Sequence, residues 1–139
     1  MLFDMIITID VTVNAPVEAA WEAWTTPDQI TRWNFASDDW SCPRAELDLR
    51  AGGKFKYRME AKDGSIGFDF EGVFTVVIPN QKLEYSLGDD RKVTVDFIPE
   101  AGATRIVESF QAEDAHSGEA QRQGWLAILH NFKKLVDGR

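Results

Sequence analysis

The chain has 139 residues, a length that fits one domain and that allows roughly two-thirds of the unfolded surface to be buried. Apolar residues make up 44% and charged residues 27%, and five Trp with nine Phe enrich it in aromatic side chains, which is typical of a globular protein and not of a disordered one. The net charge of −8 argues against a nucleic-acid partner, because an acidic surface repels phosphate backbones.

The cysteine count and the start of the chain indicate where the protein works. Cys42 stands alone, which excludes an intrachain disulfide and a cysteine-based zinc cluster. Residues 1–10 carry acidic side chains where a signal peptide needs a basic segment, and no run approaches the roughly 18 apolar residues of a membrane span. We therefore predict a cytoplasmic protein without a membrane span, formed by a single domain over residues 1–139.

The first third of the chain predicts one strand and two short helices. Residues 7–13 alternate strictly between apolar and polar side chains, as a half-buried strand does. Pro16 suits the first turn of a helix that ends near Thr25. Thr26, Pro27 and Gln29 then have the spacing of a capping box that opens a second helix.

Residues 45–112 keep a period of two almost throughout, and short turn sequences divide them into about six antiparallel strands. One apolar face per strand is predicted to point inward: Leu47 and Leu49; Phe55, Tyr57 and Met59; Phe68, Phe70, Phe74 and Val76; Leu83, Tyr85 and Leu87; Val93, Val95 and Phe97; Ile106 and Phe110. Such a face needs a cover.

After Asp114 the period changes to 3.6, which predicts a long helix with one apolar stripe: Trp125, Ile128, Leu129, Phe132, Leu135 and Val136. Gly124 within it costs about 1 kcal/mol relative to Ala, so we expect a close backbone approach to the sheet there. The elements predict an α+β fold of order β-α-α-β6-α, in which a curved antiparallel sheet surrounds the C-terminal helix. Strong curvature can leave a cavity between them.

Three ordered stretches resemble a known family: residues 15–27 running to Ile30 and Trp33, residues 48–55, and residues 124–132. The sequence resembles the START/SRPBCC superfamily and, within it, the branch similar to the C-terminal domain of the activator of the heat-shock protein 90 ATPase. This resemblance implies a helix-grip fold whose cavity, across the superfamily, holds lipids, sterols, polyketides and other apolar molecules.

The predicted binding site is a group of inward apolar side chains, with Trp40 in the loop 37–43 as a lid residue: Trp33, Trp40, Phe55, Tyr57, Met59, Phe68, Phe70, Trp125 and Leu129. The alternative is that the aromatic residues only fill the core. Glu108 joins the site because it shares strand parity with Ile106 and Phe110, and an inward carboxylate needs a partner or a raised pKa. A slipped register, or a strand end that leaves Glu108 solvated, is the competing interpretation.

No residue is assigned a catalytic role, and no metal or cofactor is predicted. His116 lies in a polar loop and His130 lies off the apolar stripe, so neither is a convincing metal ligand. Asp69 and Glu71 share the outer strand face, where plain solvation is the better explanation than acid–base chemistry.

Three functions follow. The first is binding of a small hydrophobic ligand, lipid-, sterol- or polyketide-like, in connection with stress. The second is an enzyme of the cyclase, aromatase or hydrolase kind, with Glu108 as acid or base. The third is a co-chaperone-like interaction module. In the co-chaperone this domain works beside a chaperone-binding domain for which 139 residues leave no room, so direct stimulation of the chaperone is not expected. A homodimer formed through an edge strand or the outer sheet face is left open.

Overall fold

The computed structural model describes residues 5–113 and 117–138. In chain order these residues form β1 (Ile6–Val13), α1 (Val17–Thr25), α2 (Pro27–Ile30), β2 (Trp40–Leu47), β3 (Lys54–Ala61), β4 (Gly67–Ile78), β5 (Lys82–Leu87), β6 (Lys92–Glu100), β7 (Ala103–Gln111) and α3 (Gly118–Asp137). The strands form one curved antiparallel sheet of order β1-β7-β6-β5-β4-β3-β2. The predicted α+β helix-grip fold and its order of elements are confirmed.

Strand β1 shows why alternation predicts the fold well here. Its odd-numbered residues from Ile7 to Val13 are buried, while the even-numbered ones are exposed. It pairs with β7 along its whole length, from Ile6 opposite Gln111 to Val13 opposite Thr104. The chain thus closes with its first and last strands side by side.

The two short helices cover one end of the sheet. Four side chains of α1 are buried: Ala20, Trp21, Ala23 and Trp24. The Trp33 indole, which follows α2, donates a hydrogen bond to the Ala23 carbonyl (2.9 Å). The predicted capping box at α2 is wrong in its detail, because the Thr26 side chain makes no capping bond and its backbone carbonyl instead accepts from Gln29 N–H (2.9 Å).

The observed strands differ from the predicted ones at two β-bulges. Strand β2 already begins at Trp40, for which the sequence predicts a loop, and its register shifts between Ser41 and Arg44. Pro43 lies in that shift, where an edge strand tolerates its missing N–H. The chain leaves the sheet after Leu47, so Leu49 is 36% exposed and does not share an inward face with it.

The second bulge lies in β4. Phe74 pairs with Tyr85, but after the register shift Val76 lies opposite Glu84 and Val77 lies opposite the buried Leu83. Val77 therefore packs against the core where Val76 was expected, because one extra residue reverses the side to which later side chains point.

Helix α3 lies over the concave face and is buried most deeply towards its C-terminal end. Leu129, Phe132 and Val136 are buried, and the Phe132 ring packs edge-on against Trp24 (4.9 Å between centroids) and Trp33 (5.0 Å). Trp125 and Ile128 are only partly buried. The predicted close approach at Gly124 is wrong, because a Cβ atom there would meet nothing within 4 Å. No helix among the described residues is long and apolar enough to cross a bilayer.

Candidate functional site

A cavity of about 530 Å³ lies between the N-terminal half of α3 and the concave face of the sheet. This volume falls within the 300–1,000 Å³ that is usual for small-molecule sites. Most of the residues predicted for the site line it: Trp33, Tyr57, Met59, Phe68, Phe70, Glu108, Trp125 and Leu129. The curved sheet and the long helix are therefore not separated by packed core alone.

Two predicted site residues do not line the cavity. Phe55 is buried behind the wall, where its ring packs on Tyr57 and Tyr85 at centroid distances of 5.1 Å each. Trp40 packs edge-on against Phe68 (6.0 Å) from β2. Phe68 itself lines the cavity and is 48% exposed, so it lies at the rim and is only partly inward. Trp40 supports this rim residue from behind.

Aromatic contacts connect the helix to the sheet on the cavity wall. The Trp125 ring stacks on Phe110 of β7, with centroids 4.0 Å apart and planes 8° from parallel. Its other neighbour is Phe70 of β4, edge-on at 6.1 Å, and Phe70 lies beside Tyr57 at 6.4 Å. Trp125 is thus held between two strands, and we expect it to keep the N-terminal half of α3 at a fixed height above the sheet.

Glu108 is the buried carboxyl on this wall. It pairs in register with Ile9 of β1 and Val95 of β6, and it is 5% exposed, so its inward orientation is confirmed and the slipped register is excluded. No hydrogen bond or ion pair joins it to any residue among 5–113 and 117–138. Burial raises the pKa of Glu108 to about 8, because the charged form loses its water. The group is mostly protonated at neutral pH.

Two tyrosines place phenol groups on the same wall. Burial, followed by the neighbouring Glu108, raises the pKa of Tyr85, and burial also raises the pKa of Tyr57. Both phenols therefore stay protonated at neutral pH. Neither hydroxyl has a hydrogen-bond partner in the described part of the chain, so both can donate to a molecule in the cavity.

A second polar cluster lies at another part of the wall and was missed by the sequence analysis. The buried Arg91 guanidinium contacts Asp89 (Nε to Oδ2, 2.7 Å) and Glu113 (Nη2 to Oε1, 2.9 Å). Gln121 of α3 ties Glu113 to the helix by donating to its carbonyl (2.8 Å) and accepting from its N–H (2.7 Å). The sequence signal for this cluster is the turn before β6, where Arg91 directly follows Asp89 and Asp90.

Other residues line the cavity although the apolar pattern of the sequence did not assign them to the site. Asn34 lies just beyond α2, buried, with its amide Nδ2 3.6 Å from Met59 Sδ. Trp24, Tyr85, Gly124 and Ile128 also line the cavity. Tyr85 and Ile128 were predicted to point inward but not to border a ligand. The apolar period of a strand or helix shows which side chains face inward, but it does not separate those that line a cavity from those that fill the core.

The remaining sequence candidates lie away from the cavity. Asp69 contacts Arg58 on the outer face (3.6 Å), which fits the solvation interpretation, and Glu71 is exposed there. His130 is exposed on α3, and His116 lies outside the described residues. Within the described ranges, no group of three or more His, Cys, Asp or Glu side chains could hold a metal ion.

The comparison with protein families decides the identity of this fold. The family described as "Activator of Hsp90 ATPase homolog 1-like protein" matches residues 14–137. The chain belongs to this AHSA1-like family. The resemblance stated from the sequence is therefore confirmed. Members of this fold family commonly bind hydrophobic ligands.

Solved structures support the AHSA1-like assignment. The chain is 45% identical to an AHSA1-like protein from Aeromonas hydrophila, with a TM-score of 0.91 over 96% of this chain and 93% of that one. It is also 45% identical to a protein from Cytophaga hutchinsonii, with a TM-score of 0.82 over 95% and 92%. A Chromobacterium violaceum protein, 21% identical over 96% and 98% with a TM-score of 0.84, shares the fold. No curated protein matches the chain.

Proposed function

We propose that this AHSA1-like chain binds one small apolar molecule between α3 and the concave face of the sheet. The observation that carries the proposal is the cavity of about 530 Å³, whose wall is mainly aromatic and aliphatic. A lipid-, sterol- or polyketide-like molecule has the apolar surface that such a wall would cover. The cytoplasmic location predicted from the sequence belongs to the same proposal.

The polar atoms on the wall support a ligand site over a loosely filled core. Glu108, Tyr57 and Tyr85 border the cavity and have no hydrogen-bond partner in the described ranges. No fully buried side-chain nitrogen or oxygen atom of the described residues lacks a hydrogen-bond partner, so the oxygens of these three groups remain accessible from the cavity. A few placed polar groups on an apolar wall are typical of a binding site.

Gly124 offers a direct test of the cavity. It lines the cavity, and a Cβ atom there would meet no other atom within 4 Å, so a larger side chain would extend into the space that the ligand needs. Gln123, the preceding residue, is exposed and bonds Glu119 on the outer surface of the helix (2.8 Å). Gly124→Leu thus adds a side chain to the cavity face of α3, and Gln123→Leu adds the same side chain to its exposed surface.

The test is a fluorescence titration with uncharged N-phenyl-1-naphthylamine, whose emission rises in apolar surroundings. Wild type and Gln123→Leu should bind one equivalent with the same affinity, and Gly124→Leu should lose at least tenfold in affinity while its thermal unfolding stays cooperative. Equal binding by Gly124→Leu and wild type, or no saturable binding by wild type, would contradict the proposal.

A further inference from the structure

We propose that the cavity is an amine site, in which the ammonium group of a small apolar molecule forms an ion pair with Glu108 and its hydrocarbon part lies among the aromatic side chains. This inference rests on the proposed function, because it names the class of molecule that the same cavity holds. It starts from the surroundings of one carboxyl group.

Glu108 is 95% buried and faces the cavity without a partner from the described residues. Its neighbours in the sheet, Ile9 of β1 and Val95 of β6, are apolar and cannot bond it. No fully buried side-chain oxygen of the described residues lacks a hydrogen-bond partner, so the unpartnered Glu108 carboxyl group is accessible from the cavity. A ligand in the cavity can therefore supply the partner that the neighbouring strands do not.

The other groups on the wall favour a cation over an anion. Tyr85 of β5 interacts electrostatically with Glu108 and with Tyr57 of β3, and both phenols are neutral. Helix α3 contributes side chains without charge to the wall. Arg91, the described cation of the cavity lining, already contacts the carboxylates of Asp89 and Glu113. An anionic ligand would therefore meet more negative than positive charge here.

The aromatic lining points the same way. A cation is attracted to the face of a Trp, Tyr or Phe ring, most strongly where water is excluded. Rings from α1, β3, β4, β5 and α3 all reach this cavity: Trp24, Tyr57, Phe70, Tyr85 and Trp125. The net charge of −8 also raises the concentration of cations near the protein surface.

An ammonium ligand changes the protonation of Glu108 in a measurable way. Because the pKa of Glu108 is raised to about 8 by burial, the free protein holds this proton at pH 7. On binding, the ammonium group keeps its own proton, Glu108 gives its proton to the buffer, and the two charges pair. Binding at pH 7 should thus release about one proton, and affinity should rise with pH up to the pKa of Glu108.

The experiment compares two probes of matched shape, 2-naphthylmethylamine and 2-naphthalenemethanol, by isothermal titration calorimetry at pH 7. The amine should bind wild type at least tenfold more tightly than the alcohol. Its binding heat should differ between phosphate and Tris buffers by the amount expected for release of about one proton, and that of the alcohol should not differ.

The variant Glu108→Gln keeps the shape of the side chain and removes the charge. It should lose at least tenfold in amine affinity, a loss several-fold larger than any change in its affinity for the alcohol. The control Glu71→Gln removes the same charge from the exposed outer face and should bind both probes as wild type does. Thermal unfolding of each variant establishes that it is folded.

The outcomes separate this proposal from the one it rests on. Equal binding of amine and alcohol to wild type, an amine heat that does not depend on the buffer, or full amine binding by folded Glu108→Gln overturns the amine site. The binding function survives each of these results if the alcohol or N-phenyl-1-naphthylamine still binds. If none of the three probes binds wild type, both proposals fail together.

Discussion

Glu108 makes the free energy of unfolding depend on pH, because its pKa differs between the folded and the unfolded chain. The pKa is about 8 in the folded protein, against an ordinary value of 4.5. Between these two values the unfolded chain releases the proton and the folded protein keeps it, so stability falls as the pH rises from about 4.5 to about 8. With about 1.4 kcal/mol for each tenfold change in protonation, the full effect is about 5 kcal/mol at most.

Replacing Glu108 with Gln should remove this dependence. The variant and wild type should have similar free energies of unfolding near pH 3.5, because Glu108 is then mostly neutral in both the folded and the unfolded chain. At pH 8.5 the variant should be more stable by a few kcal/mol, about 5 at most. Urea unfolding at the two pH values measures this. Glu71→Gln should follow the pH dependence of wild type, and parallel curves for Glu108→Gln and wild type would contradict a buried, neutral carboxyl.

Strand parity predicted the side to which Glu108 points, because its neighbours alternate without interruption in β7. Parity could not separate Phe55, which lies behind the cavity wall, from Tyr57, which lines it, since both face inward. Arg91 was missed for a different reason. It lies between β5 and β6, where no period exists, and only three-dimensional packing brings it to Glu113.

At the scale of elements, two glycines show where the backbone is tightly packed and where it is not. A Cβ atom at Gly72 of β4 would lie 2.1 Å from the Ser86 carbonyl oxygen, which is backbone and cannot move aside. A Cβ atom at Gly124 of α3 meets nothing within 4 Å. The close approach that the sequence suggested for the helix therefore occurs in the sheet.

The paired substitutions Gly72→Ala and Gly124→Ala should act in opposite directions. Gly72→Ala should destabilise the protein by about 1–3 kcal/mol, as overpacking does. Gly124→Ala should stabilise it by up to about 1 kcal/mol, since Ala favours a helix over Gly. Thermal and urea unfolding of both variants measure the difference. A loss of stability in Gly124→Ala comparable to that in Gly72→Ala would mean that the helix lies directly on the sheet.

The elements themselves were predictable because each period continues over several turns or residue pairs. Their irregularities were not. A bulge, as in β4 before Val76 or in β2 at Pro43, inserts a residue without leaving a distinct mark in the apolar pattern. The helix stripe from Trp125 to Val136 was predicted as one uniform face, yet only its C-terminal part is deeply buried.

Over the whole molecule, the C-terminal part of α3 packs closely on the core, whereas a cavity lies beneath its N-terminal half. Phe132 and Val136 anchor the C-terminal part of α3 in the core, whereas the Trp125 ring lies on Phe110 and Phe70 and borders the cavity. The sequence predicts the sheet and the helix, and the family implies a cavity. The sequence pattern does not give the volume of the cavity, because that volume depends both on the curvature of the sheet and on the height of α3 above it.

The central claim is that an apolar molecule lies between α3 and the sheet. It is tested most directly by intermolecular nuclear Overhauser effects between bound N-phenyl-1-naphthylamine and methyl-labelled protein. The account predicts contacts from the probe to Met59 of β3 and to Leu129 of α3 in one complex, because both line the cavity from opposite sides. Contacts confined to exposed apolar side chains such as Ile66, Ile78 and Ile98 would contradict it.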